Sequence, residues 1–263
     1  VLTSKLQRLE SAKSDPNEQL MQLFMGIYGV GLAVASKWIS QGHQTLDDIR
    51  TKVDLTVNQR IGLEHYEDFA SRIPRAEVAE HARIVQDTLR KFDPAFQLIV
   101  GGSYRRGKLD SGDIDCIITK EGAKIEHVRS MLNDSVIPFL FRIGFLTADL
   151  SSSSDKDDGS KWHGASKLPH SKVWRRIDLL FVPWHEMGAA LIYFTGNDVF
   201  NRSIRLLASK RGMRLNQHGL YKDVMRGKHR ERITQGTLVE GQSEQRIMKI
   251  LGVPWRPPED RNC

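Results

Sequence analysis

Cysteine is almost absent: the 263 residues hold two, Cys116 and Cys263. Two thiols offer no disulfide framework, and a reducing compartment suits them best. No apolar run approaches the ~18 residues a membrane-spanning helix needs, and the amino-terminal VLTSKLQRLE is polar, unlike a secretory leader. No membrane partner is therefore expected, and no internal repeat is visible. Acidic residues are the scarcer charge, 32 Asp and Glu against 39 Lys and Arg, giving +7 and an isoelectric point near 9.4. That excess favours a polyanionic partner, although charge alone is weak evidence because many basic proteins bind neither nucleic acid nor acidic lipid. A hydrophobic content of 40% is ordinary for a folded protein, and the length suffices for two domains or one with subdomains. The first residue is Val rather than Met, so a fragment is expected.

Residues 1–93 carry helical spacing with repeated stop and start signals and almost no strand-like alternation. Thr45 with Asp48, and Thr56 with Gln59, have the spacing of capping boxes. Pro74 opens an amphipathic segment to about Phe92, with Val78, Ala82, Val85 and Leu89 on one stripe. From Phe96 the texture changes: FQLIV, DIDCIIT and VWRRIDLLFV read as strands, and KIEHVRSMLNDSVIPFLF as a helix. The expectation for 94–184 is a mixed sheet with helices on one side. The serine-rich stretch at 151–161 has little to bury and reads as a mobile connection, with KWHGASKLP a short edge strand. Residues 185–263 carry two helices, the second ended by Gly212, then one more helix and an irregular tail.

The chemistry concentrates in GGSYRRGKLDSGDID, residues 101–115. Side chains two apart on a strand project from one face, so Asp113 and Asp115 present their carboxylates together. Like charges that close raise each other's pKa unless a cation binds them, and a hard divalent ion is the natural partner. A solvated strand end is the bland alternative. Asp178, set between apolar neighbours in RRIDLLFV, is a third acid that needs compensation. Either it pairs with Arg175 or Arg176, or its strand lies beside the first and three carboxylates converge on two metal ions. Ahead of the acids, Gly101 and Gly102 permit a tight turn with close backbone approach, and Ser103 opens a short helix whose amide end attracts phosphate. Of Arg105 and Arg106, one guanidinium can clamp a triphosphate while the other salt-bridges or faces solvent.

With GIYGVGLAVASKW, QRIGLEHYEDF, RIPRAE, RRIDLLFVP, ALIYFTGNDVFNRSIR and LGVPWRPPEDR in the same order, the chain resembles a family X DNA polymerase of the lambda and fungal polymerase IV branch. The resemblance implies an α+β fold: a polymerase beta-like nucleotidyltransferase palm with a mixed sheet (94–184), an all-helical DNA-binding subdomain (1–93) and a small nucleotide-selecting C-terminal α+β subdomain (185–263). It implies that Asp113 and Asp115 bind two Mg2+ ions, replaceable by Mn2+, and that Asp178 binds the catalytic one and helps activate the primer 3'-hydroxyl. Ser103, Arg106 and Gly112 would bind the incoming dNTP. Tyr193 and Phe194 would line its sugar, with Gly196 breaking their helix at an exposed bend. Asp198, Asn201 and Arg205, opposite Phe200, Ile204 and Leu207, would contact the nascent base pair.

In GIYGVG the resemblance implies a helix-hairpin-helix, with Gly29 and Gly31 at DNA phosphates and the main-chain carbonyls of Met25, Ile27 and Val30 on a Na+ or K+ ion. A glycine-rich helix connection without a ligand is the common alternative. Lys37 and Arg176 would contact the DNA backbone. Gapped or primer-template DNA, end-joining repair factors, a monomeric state and a nuclear location follow from the same likeness. So does template-directed gap filling in base excision repair and non-homologous end joining. YFTG differs from the Trp-Thr-Gly of the mu branch, and the 151–161 stretch is short for a terminal transferase. A terminal or poly(A) transferase, or an idle DNA-end scaffold, are the alternatives. The lyase and BRCT domains of larger members are not recognised, so no lyase activity is expected.

Overall fold

The computed structural model describes residues 15–151, 161–225, 227 and 233–262. Most of the serine-rich stretch therefore lies outside the described residues. Contacts divide the chain into two units, the first up to Ser71 and the second from Arg72 on.

Among the described residues the first unit holds five helices: α1 (Pro16–Met25), α2 (Leu32–Ser40), α3 (Leu46–Lys52), α4 (Val57–Glu64) and α5 (Tyr66–Ala70). Their starts are written locally. Asp15 accepts from the Asn17 amide ahead of Pro16, and both Thr45–Asp48 and Thr56–Gln59 form reciprocal capping boxes. The helices close over Phe24, Ile27, Val30, Ala35, Trp38, Ile49 and Leu63. Gly62 is required there, because a Cβ would meet the Tyr28 backbone nitrogen at 2.6 Å.

The second unit opens with β1 (Ile73–Pro74) and α6 (Arg75–Phe92). Then come β2 (Phe96–Val100), α7 (Gly102–Arg105), β3 (Asp110–Ser111), β4 (Ile114–Lys120), α8 (Ile125–Met131), α9 (Ile137–Arg142), β5 (Leu146–Asp149), β6 (Lys161–Ser166) and β7 (Arg175–Phe181). It ends with α10 (Met187–Thr195), α11 (Asp198–Lys210), β8 (Arg214–Asn216), β9 (Gly219–Lys222), β10 (Thr237–Glu240) and α12 (Glu244–Ile250). The main sheet runs β2-β4-β7-β6-β5, with only the β4–β7 pair parallel. A separate antiparallel sheet, β10-β9-β8, packs with α10, α11 and α12 around Phe200, Ile204, Leu220 and Ile247.

Four expectations are corrected. Helix α6 was assigned with the amino-terminal helices, yet Val78, Val85 and Leu89 pack into the sheet's core with Ile114, Cys116, Ile118 and Leu179. Burying each such side chain contributes about 1.5–3 kcal/mol, which draws the helix to the sheet and the boundary from 93 back to Ser71. The segment read as one helix contains a π-helical turn at Leu132–Val136, in which the Ile137 amide reaches back to the Leu132 carbonyl just before Pro138. Strand β6 is interior rather than an edge, because the unrecognised β5 covers its free side. Nor do helices lie on one side only. Alternation sends Ile114, Cys116 and Ile118 into the α6 core and Ile117 and Leu180 to the other face, where Met187 and Ala190 of α10 cover them.

Candidate active site

The second face is covered only along part of its length, and its other end carries the acids. In the parallel β4–β7 register Asp115 stands directly opposite Asp178, and Ile114 opposite Ile177. Adjacent strands lie about 4.8 Å apart, so two carboxylates emerge side by side on one face, with Asp113 just ahead of β4. Burial, together with Asp113 and Asp178, pushes the Asp115 carboxyl up to about 8. Burial also raises Asp113, opposed by Arg176 and reinforced by Asp178.

Arg176 reaches Asp113 Oδ2 at 3.3 Å, and Arg175 is held by Glu77 at 2.6 Å. Asp178 Oδ1 is met at 2.8 Å by Nδ1 of His163, its cross-strand partner on β6. Among the described residues no three His, Cys, Asp or Glu side chains enclose a ready-made ion cage. It is the strand register, rather than the side-chain conformations, that gathers the acids. The donor set nevertheless fits a hard divalent cation: three oxygen ligands, one a buried carboxyl whose charge its neighbours oppose.

The glycine turn meets these acids directly. Gly102 has φ +54, and a Cβ there would run into Asp115 Oδ2. Only glycine brings the start of α7 this close to the carboxylate. The Ser103 hydroxyl bonds Ser111 Oγ at 2.9 Å, and a Cβ on Gly112 would lie 3.2 Å from Arg72 Nη1. The two arginines divide their work. Arg105 forms a two-pronged pair with Glu244 at 2.6 and 3.0 Å and donates to Thr195 Oγ1 at 2.7 Å. Arg106 donates to the Thr195 carbonyl at 2.5 Å and to Asn262 at 3.0 Å. Burial depresses its basicity. Arg261, fully buried, also donates to Glu244, at 2.8 Å. One carboxylate thus ties the glycine loop to the end of α10 and to the carboxyl tail.

At that helix end Tyr193 and Phe194 meet edge to face, with ring centroids 5.0 Å apart. Gly196 follows with φ +69, and its peptide to Asn197 is cis. Asn197 caps α11 through the Phe200 amide. As expected, Phe200 and Ile204 are buried while Asp198 and Arg205 are exposed. Asp198 pairs with Arg202, and Asn201 donates to the Tyr193 carbonyl at 2.7 Å. Arg202, Arg205, Arg214 and Tyr193 line a basic groove of about 530 Å3.

In the first unit Gly29 takes φ +80 in the α1–α2 turn, and Gly31 is the N-cap of α2 with open space at its Cβ position. The Ile27 carbonyl accepts from the Val30 amide at 3.1 Å. Met25 is exposed, whereas the side chains of Ile27 and Val30 are buried. Lys37 is exposed beside a cavity of about 520 Å3 shared with Trp38, His43 and Lys52.

Sequence reasoning missed His163 and the Glu244–Arg261 pair. Both depend on which distant segments meet, and a single chain's spacing does not carry that.

A mixed sheet with a glycine turn at its acidic end is the polymerase beta-like nucleotidyltransferase palm. Residues 72–184 match the DNA polymerase beta palm, 190–262 the DNA polymerase beta thumb and 22–70 the fingers domain of DNA polymerase lambda. The chain belongs to the family X DNA polymerases. It is 39% identical to DNA polymerase lambda of Rattus norvegicus over 92% of this chain and 42% of the relative. To DNA polymerase lambda of Arabidopsis thaliana it is 34% identical over 100% of this chain and 50% of the relative. DNA-directed DNA/RNA polymerase mu of Homo sapiens is 28% identical over 98% of this chain and 55% of its own length. The chain thus spans about half the length of the curated relatives it matches.

Proposed function

We propose that this chain is a template-directed DNA polymerase that fills short gaps, adding dNTP to a primer 3'-hydroxyl with release of pyrophosphate. The observation that carries the reading is the register placing Asp178 beside Asp115, with Asp113 and the glycine turn converging on the same end of the sheet. Asp113 and Asp115 would hold two Mg2+ ions, or Mn2+ in their place, and Asp178 the one nearer the primer. Ions held there would supply a lowered pKa for the attacking hydroxyl and neutralisation of charge on the transferred phosphate. The chain's own residues do the rest. The amide end of α7 with Ser103, Arg106 and Gly112 receives the triphosphate. Tyr193 and Phe194 bound its sugar, and the exposed polar side of α11, carrying Arg205 and its neighbours, faces the nascent base pair.

The helical unit up to Ser71 would grip the DNA backbone through Gly29, Gly31 and Lys37, and Arg176 would do so from the palm. The carbonyls of Met25, Ile27 and Val30 would hold a Na+ or K+ ion. Residues 185–263 would select the nucleotide. Base excision repair and end joining in the nucleus, as a monomer working with end-joining factors, are the setting this reading implies. The test is extension of a primer across a one-nucleotide gap with dNTP and Mg2+. Incorporation directed by the template base, abolished by Asp178→Ala, supports the reading. Template-independent addition, an rNTP preference, or gap binding without incorporation would replace it with a terminal or poly(A) transferase or a scaffold.

A further inference from the structure

The third acid of the site has a partner that no expectation included. Strand β6 runs antiparallel to β7 with His163 directly opposite Asp178, so both side chains emerge on the same face. The register that puts them there is pinned from both sides. Trp162 turns to the opposite, buried face, where its indole donates to Asp149 at 3.2 Å. Gly164 is crowded, since a Cβ there would lie 2.6 Å from the Ala148 carbonyl oxygen and closer still to the Trp162 ring. The His163 carbonyl takes the Leu150 amide at 2.9 Å, and its own amide donates to Ser151 Oγ at 3.3 Å. A one-residue slip would put Trp162 at the site and the imidazole in the core, so the strand is held to one pairing. The ring therefore meets Asp178 from a fixed backbone.

From this geometry we propose that His163 is a positioning residue for Asp178. Its Nδ1 lies 2.8 Å from Oδ1 of that carboxylate. One oxygen is thereby occupied, and the rotation of the carboxylate about its own axis is fixed. The second oxygen is thereby presented to a divalent ion in one orientation. Asp113 is met from its neighbouring strand as well, but more loosely, by Arg176 at 3.3 Å. Partners that orient a ligand in this way are typically worth about 10–100-fold in metal affinity or activity. Triphosphate contacts come from α7 and its loop, on a different element, so the contribution falls on the chemical step rather than on dNTP binding.

The proposal rests on the polymerase reading and is tested so that the two can fail separately. Three proteins are compared at one pH: the chain as it is, His163→Leu, which removes the donor, and His163→Asn, whose side-chain amide can donate to the same oxygen. Single-nucleotide gap filling is expected to show kcat for His163→Leu lower by about tenfold or more, with the dNTP KM within about twofold, and His163→Asn restoring most of kcat. Mn2+ titrated into each protein without turnover, with free ion followed by electron paramagnetic resonance, should show about tenfold weaker binding at one site for His163→Leu only.

Should His163→Leu not fold, NMR of the unaltered protein decides: its His163 Nδ1 proton is seen, and Asp178→Asn abolishes or strongly shifts it. Unchanged kcat and Mn2+ affinity in His163→Leu, equal loss in the Leu and Asn variants, or an Nδ1 signal indifferent to Asp178 each overturns the proposal while the polymerase reading stands. Absence of any incorporation by the unaltered chain would sink that reading, and the Mn2+ and NMR measurements would still report on the contact.

Discussion

Replacing Glu244 with glutamine keeps the size of the side chain and removes the carboxylate that two guanidinium groups share. Arg105 gives it two hydrogen bonds and Arg261 a third. Arg261 is fully buried and Glu244 nearly so. Burial already disfavours the charged form of Arg261, and the Glu244 carboxylate is the first influence opposing that. Glu244→Gln leaves the buried Arg261 and the half-buried Arg105 facing each other across a neutral amide. Breaking a buried pair in this way costs about 3–5 kcal/mol, because the survivor stays desolvated without compensation. Set against a typical total stability of about 5–15 kcal/mol, that is a large fraction. For a unit of this size each kcal/mol lowers the melting temperature by about 2–4 °C, so a fall of roughly 6–20 °C is expected.

Urea unfolding followed by far-ultraviolet circular dichroism measures the change directly. The comparison that separates explanations is a triple variant, Arg105→Met with Glu244→Leu and Arg261→Met. If desolvation governs, the triple variant is far less destabilised than Glu244→Gln alone, since no buried charge remains. A loss below about 1 kcal/mol in Glu244→Gln, or a triple variant worse than the single one, would refute the reasoning.

Stability should also fall in mild acid through His81, which is fully buried, bonded to Ser166 at 2.9 Å and held down to about 4 by burial. The unfolded chain takes up this proton first as pH drops below about 6.5. Stability is therefore lost between roughly pH 6.5 and 4 and no further below, by about 3 kcal/mol in all; His81→Gln should flatten that slope, and an unchanged slope contradicts the assignment. Gly102→Ala should cut gap filling by about 100-fold while costing about 1–2 kcal/mol of stability, since it strains a left-handed residue and displaces Asp115; near-normal incorporation would show that the close approach does not matter. Leu89→Ala should destabilise the second unit by about 2–5 kcal/mol in chemical denaturation, whereas a near-neutral result would return α6 to the amino-terminal helices.

How much of this was legible beforehand depended on the range over which each signal acts. The two capping boxes and the buried Phe200 and Ile204 against the exposed Asp198 and Arg205 of α11 rest on residues a few positions apart, where the helix period is fixed, and the structure agrees at each; Asp115 lies on β4, whereas Asp113 stands just ahead of it. The glycine turn was legible as a turn, but its contact with Asp115 was not, because that requires the β2–β4 pairing. Asp178 was recognised as an acid needing compensation, and its neighbours Arg175 and Arg176 were the local candidates. The imidazole that meets it comes from a strand 15 residues earlier, which is what antiparallel pairing permits and sequence proximity hides. Amphipathic spacing identified α6 without saying which core its apolar stripe would join. Strand β5, at four residues, was too short to stand out, and β6 was consequently misread as an edge.

The central claim is that Asp113, Asp115 and Asp178 gather around divalent ions at the end of the sheet. A crystal of the chain with one-nucleotide-gapped DNA, a nonhydrolysable dNTP and Mn2+, read by anomalous scattering, tests it most directly. The account predicts two manganese peaks among the three carboxylates, with the triphosphate against the start of α7. A nucleotide bound elsewhere, or Asp178 turned away from both peaks, would contradict it.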